Sequence, residues 1–317
     1  MRSPSYLVLI ALGYLISFPG VVQSQNTPSG TPFRTETFDL GNSPVIQAEL
    51  SGYSLAITGE EGTSNTSVQA FLFKNGKSIS SETEEAKEFL DRLELKISQS
   101  SSKLSIVARQ KSGGSWDSWR SGISMEIRIK SPRQLEVNAK SSGGSLAIKG
   151  ISGSAILNSS GGSIAVDSSG GVLEVNSSGG SFSLTNFDGS AKVGSSGGSV
   201  SITKASGALE VSSSGGSMYL TQLDATLNAS SSGGSIKAIL DRVTQPMRFS
   251  ASGGAITVEL GSAAAFDLLV KGDGISTDLL NFNGTTSPNL MTGKVNGGGP
   301  RLELSSGGGS ISLKTTD

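Results

Sequence analysis

Four aspartates, Asp167, Asp188, Asp224 and Asp241, fall inside a Ser/Gly-rich stretch written in a nine-residue frame. Nine residues is the period at which calcium-binding β-rolls place a ligating carboxylate in every repeat. Here the ligand position holds Leu, Ala, Ile, Phe, Val or Met, and only Asp188 and Asp224 share a column. Stacked calcium sites are therefore not expected. Glu174, Lys192 and Glu210 do share one frame position. Carboxylates beside a cation on an outer sheet are what a polysaccharide-cleaving β-helix enzyme would need. The plainer reading is a solvated charge ladder that resists edge association. Trp116 and Trp119 sit in the loop SGGSWDSWRSG, 112–122. Two indoles in such a loop can stack on sugar rings, giving a carbohydrate-binding module, or fold back over neighbouring strands. The chain has no His and no Cys. That removes Ser-His-Asp catalysis, thiolate chemistry, disulfides and the usual zinc ligand sets. No catalytic residue, metal or cofactor is expected.

The elements that must position these residues are written in the repeat itself. Ser-Ser-Gly-Gly begins at Ser141, Ser159, Ser168, Ser177, Ser195, Ser213 and Ser231, always in the nine-residue frame. A unit this short cannot bury a face alone, so its copies must stack. Positions six and eight are apolar, as in Leu146 and Ile148, Ile164 and Val166, or Phe182 and Leu184, while five, seven and nine are mostly polar. Alternation of period two marks a strand with one buried face. Positions one to four form the corner, where at least one Gly is expected to need positive φ.

Alternate units are more alike than neighbours, so the structural period is 18 residues, with two strands and two corners per coil. A three-sided helix built on hexapeptides also uses 18 residues per coil, but the sub-period here is nine. The expected fold is all-β: a right-handed parallel β-helix, or β-solenoid, flattened into two sheets. Position two of the alternate units (Ile151, Phe187, Ala205, Leu223) is expected to fill the interior at the second corner. Position five of the other units is Ser145, Ser163, Ser181, Ser199, Ser217 and Ser235 without exception, and position nine supplies Thr185, Thr203 and Thr221. These should form straight outward ladders. They are either a binding surface or small residues that fit beside a tight corner.

The remaining segments frame the repeat. Residues 1–24 read as an export signal, with Arg2, an apolar run and the small-x-small site Val22-Gln23-Ser24. Residues 25–33 read as a linker, and 34–131 as a β-rich entry section with a short capping helix over 81–93. Ser81 and Glu84 are spaced as a capping box for that helix. Residues 132–260 form the regular solenoid and 261–317 degenerate coils. The net charge of −1 offers no footprint for nucleic acid or an anionic membrane, and no second apolar run follows as an anchor.

The alternating entry section, the segment SMEIRIKSPRQLEVNAKSSGGSLAIKGISGSAILNSSGG (124–162), the continuing ladder and the closing GGGPRLELSSGGGSISL (297–313) together resemble the bacterial DUF4097 family. The resemblance covers about residues 35–315. It implies a β-solenoid of the cell envelope with an adhesin label and brings no catalytic residues with it. The expected protein is non-enzymatic and exported to periplasm, cell surface or medium. Its expected partner is a cell-surface or extracellular polysaccharide or protein, met through the Ser/Thr face or the Trp loop.

Overall fold

The computed structural model describes residues 30–111 and 122–316. The segment read as an export signal and both Trp residues lie outside them. The described chain is nearly all strand, with one helix.

The regular middle follows from the repeat. Here lie β9 (Gln134–Ser141), β10 (Leu146–Lys149), β11 (Ser152–Ser159), β12 (Ile164–Ser177), β13 (Phe182–Ser195), β14 (Val200–Ser213), β15 (Met218–Ser231), β16 (Ile236–Leu240), β17 (Met247–Ala251) and β18 (Ile256–Gly261). Each 14-residue strand from β12 to β15 bends through one corner, so its first part joins one sheet and its last part the other. Successive coils pair in parallel at an offset of 18 residues, Ile164 beside Phe182 and Phe182 beside Val200. Phe182 and Leu184 point inward and are fully buried, as the alternation requires. Ile151, Phe187, Ala205 and Leu223 fill the second corner. Coil volume is balanced locally: Phe182 and Phe187 share their coil with Ala191, whereas the next coil sets Ala205 with Leu209 and Ile202. Interiors packed at this density leave little room for independent change.

Both ends depart from simple succession. The entry contains β1 (Arg34–Phe38), β2 (Val45–Leu50), β3 (Ser54–Glu60), β4 (Thr66–Lys74), β5 (Lys77–Ile79), α1 (Glu84–Arg92), β6 (Leu93–Ser100), β7 (Lys103–Gln110) and β8 (Ile123–Pro132). β2 lies between β7 and β9, and β3 lies between β8 and β10. The first coil is thus held inside the stack, and a later one covers it. The C-terminal end mirrors this. It contains β19 (Phe266–Lys271), β20 (Ile275–Thr277), β21 (Phe282–Ser287), β22 (Leu290–Val295), β23 (Arg301–Ser306) and β24 (Ile311–Thr316). β23 slots between β17 and β19, and β24 between β18 and β20. The last coil in sequence is therefore second to last in space.

One sheet accordingly runs β8, β3, β10, β12, β13, β14, β15, β16, β18, β24, β20. The other runs β7, β2, β9, β11, β12, β13, β14, β15, β17, β23, β19. At about 4.8 Å per coil each extends about 48 Å. Antiparallel strands close the ends: β4 on β8, β6 on β7, and the hairpin β21–β22 on β19. Among the described residues this leaves no parallel edge of the stack bare beyond the three-residue β20, the kind of edge management that discourages sheet-to-sheet association. α1 links β5, on the first sheet's side, to β6, on the second sheet's side. Ala86 is fully buried, and Phe89 meets Tyr53 edge-on at 6.1 Å. The helix begins later than the capping-box spacing suggests. Thr83, not Ser81, is the N-cap, its hydroxyl accepting from the Ala86 amide at 3.3 Å.

Candidate functional site

The Ser-Ser-Gly-Gly corner places everything outside it. In every copy but the one at Ser168, which sits at the opposite corner and is exposed, the first Ser turns inward and is buried, and from Ser159 to Ser231 its hydroxyl donates to the carbonyl of the second Gly three residues on. The bond is 2.6 Å from Ser159 to Gly162 and 2.7 Å from Ser195 to Gly198. The second Gly lies against the preceding coil. A Cβ at Gly198 would stand 2.2 Å from the Gly180 carbonyl oxygen. The expectation of positive φ is corrected at the corners that begin at Ser141, Ser159, Ser177, Ser195, Ser213 and Ser231, where no glycine has positive φ, and it holds at the opposite corner, where Gly153, Gly171, Gly189 and Gly207 have φ of 143°, 100°, 148° and 100°. Gly is required for close approach of one coil to the next. The left-handed residue belongs to the opposite corner, where Ser168, Asn186, Lys204 and Gln222 have φ of 49°, 51°, 56° and 53°. Such a conformation costs a non-Gly residue roughly 1–3 kcal/mol. Neighbours over-determine it here, because Ser168 and Asn186 both donate to the Asp167 carboxylate, at 3.0 and 3.2 Å.

Just past the Ser-Ser-Gly-Gly corner the outer face of the first sheet begins. Ser145, Ser163, Ser181, Ser199, Ser217 and Ser235 fall in one column, one per coil, because the flanking residues pair at equal offsets. Ser145, Ser163 and Ser181 are half-buried, and Ser199, Ser217 and Ser235 are exposed. Their carbonyls accept from the strand residues of the neighbouring coil, as Ser199 does from Phe182 at 2.9 Å. The next column is Ala165, Ser183, Ser201 and Tyr219, and the last is Asp167, Thr185, Thr203 and Thr221. The Thr column closes toward its far end: Thr221 is nearly covered, beside Ile239, and donates to Thr203 at 3.1 Å. The result is a flat patch of hydroxyl and methyl groups. Ion pairs frame it, Lys149 with Asp167 at 3.5 Å and Lys237 with Glu259 at 2.9 Å.

The other candidates are dispersed. Glu174, Lys192 and Glu210 are neighbours in register on the second sheet, with Lys192 and Glu210 at 3.7 Å, both well exposed. This is a solvated ladder. Among the described residues, no group of three or more Asp or Glu side chains is placed to hold a metal ion. A carboxyl held well below its ordinary range lies elsewhere, at the end strand β6. Glu94 is pulled down to about 2 by the Arg109 guanidinium and then by Lys96, each contact being 2.6 Å. Sequence reading missed this inward turn of the first Ser. The sequence carries no signal for it, because the outward second Ser is just as invariant as the inward first one.

The chain matches no family model, and no curated protein matches it. Its structure is similar to crystal structures of provisionally named adhesins. That from Parabacteroides distasonis ATCC 8503 has a TM-score of 0.49 and 11% identity, covering 91% of this chain and 98% of that one. That from Bacteroides fragilis NCTC 9343 has a TM-score of 0.44 and 16% identity, covering 89% and 96%. That from Parabacteroides merdae ATCC 43184 has a TM-score of 0.42 and 11% identity, covering 92% and 98%.

Proposed function

We propose that this chain is an exported, non-enzymatic adhesin of the DUF4097 type that displays the outer face of its first sheet to a partner. The observation that carries the reading is the in-register column from Ser145 to Ser235 with the small residues beside it. A rigid stack repeats one hydroxyl per coil at a fixed spacing, so a partner with matching repeats gains many weak contacts at once. Linked contacts of this kind raise avidity without any strong single site. Residues 1–24, read as an export signal, support a place for this surface outside the cytoplasm. Replacing Ser181, Ser199 and Ser217 by Lys tests the reading. The three positions point outward, so melting should stay within a few degrees of the parent while attachment to cells or matrix falls at least tenfold. Unchanged attachment by a folded triple variant would reject this face as the working surface.

A further inference from the structure

Three surface recesses lie on one line, and that line is not the display face. Where the second sheet turns into the Ser-Ser-Gly-Gly corner, the inward first Ser is flanked by two residues that point out. The backbone dips between them. Stacked over many coils, the dips form a trough parallel to the solenoid axis. Its first stretch is a recess of about 590 Å³, with Lys140, Asn158 and Asn176 on one wall and Ser142, Ser160 and Ser178 on the other. Glu49 and Arg109 close its end. Farther along, a recess of about 190 Å³ has Ser212, Ser230 and Ser250 facing Ser214, Ser232 and Ser252. The wall continues in register through Ser305 to Lys271, where a third recess of about 380 Å³ lies.

We infer that this trough binds a neutral, linear polysaccharide lying along the solenoid axis. Between charged groups at its two ends, its side chains are hydroxyls and amides, which both donate and accept, as sugar hydroxyls do. A peptide strand would need free backbone edges, but the floor is already paired coil to coil, as in Ser160 N–H to the Ser141 carbonyl at 3.0 Å. It would otherwise need apolar pockets, and the middle stretch has none. A polyanion would need a row of cations. Of the two near the first recess, Arg109 is held by Glu94 and Lys140 stands beside Glu49. The middle stretch carries no charge. The coil spacing of about 4.8 Å is close to the advance of one sugar unit in an extended chain. Each hydroxyl pair contributes modestly, so affinity should grow with chain length. The trough shares no residue with the Ser145–Ser235 column, and the two readings stand or fall separately.

The test is affinity electrophoresis of the full chain through hydroxyethyl cellulose, soluble xylan and galactomannan, with polygalacturonate as the acidic arm. Retardation by at least one neutral polymer is expected, weakening as its chains are shortened. Ser160→Asp, Ser196→Asp and Ser232→Asp combined should reduce that affinity at least tenfold, while Lys at Ser181, Ser199 and Ser217 leaves it unchanged. If the Asp variant melts below the parent, Asn158→Ala with Asn176→Ala takes its place, with at least a threefold loss expected. Retardation by none of the neutral polymers, or by polygalacturonate alone, overturns the inference. So does parental affinity in a folded trough variant.

Discussion

Gly197 and Gly198 are adjacent, exposed to the same corner, and should respond very differently to one added methyl group. A Cβ at Gly198 meets the Gly180 carbonyl at 2.2 Å, whereas at Gly197 the nearest atom is the Ser178 carbonyl oxygen at 3.3 Å. Gly198→Ala must push two coils apart and should cost at least about 2–3 kcal/mol. Gly197→Ala should cost about 1 kcal/mol or less, and paired denaturant melts read the difference. Equal costs would mean that the coils are not in contact here. This distinction was illegible in the sequence, which shows both glycines as corner residues. Only the neighbouring coil tells them apart. The left-handed column was equally hidden, because Ser168, Asn186, Lys204 and Gln222 share a conformation but no residue type. By contrast, the inward pair at positions six and eight was plain, since burial selects apolar side chains directly. Glu94 gives a pH prediction. Its carboxyl is held at about 2 in the folded chain, below the roughly 4.3 of an unfolded Glu. A depressed carboxyl stabilises fully above the unfolded value and loses that effect as pH falls through the folded one. The melting-temperature gap between the parent and Glu94→Gln should be constant above about pH 5 and close by about pH 2. A gap that persists in acid would assign the effect to packing.

At the scale of elements, α1 tests how the entry section is closed. Thr83→Ala removes the observed cap and should cost about 1 kcal/mol, while Ser81→Ala should cost nothing measurable. The reverse order would restore the capping-box spacing of Ser81 with Glu84. That spacing misled because Thr83 lies closer to the first buried helical residue, Ala86, and burial sets where the helix begins. The interleaving of β2–β3 and of β23–β24 was illegible for a different reason. Periodicity reports only neighbours one repeat apart. The pairing of β2 with β9 joins Leu50 to Ser141, and that of β18 with β24 joins Ile256 to Ile311. No fixed period spans such separations. The candidate surface was legible as a column, because the offset of 18 is constant from β12 to β16, but its closure at Thr221 depends on the side chain of Ile239 in the next coil.

At the scale of the whole molecule, the coil is the unit that can be removed. Deleting residues 177–194 joins Asn176 to Ser195, sets Ile164 beside Val200, and takes Phe182, Phe187 and Ala191 away together, so each remaining coil keeps its own volume balance. The shortened chain should fold cooperatively and melt within about ten degrees of the parent, since neighbouring coils contribute nearly additive terms. Deleting only 177–185 would set one second-sheet unit directly after another and turn every later coil to the wrong face. That variant should show no cooperative transition by circular dichroism, and a cooperative melt would refute the two-sheet coil. The threaded ends add a constraint on descent. In an open-ended solenoid a new repeat can be tacked on at either terminus. Here the terminal coils are each clasped between two others, so a copy of the repeat added at the C-terminal side would meet only the three-residue β20 as a free parallel edge. Such a rod lengthens from within, by duplication in its middle, and the most faithful copies of the repeat do lie between Ser141 and Ile239, farthest from both clasps.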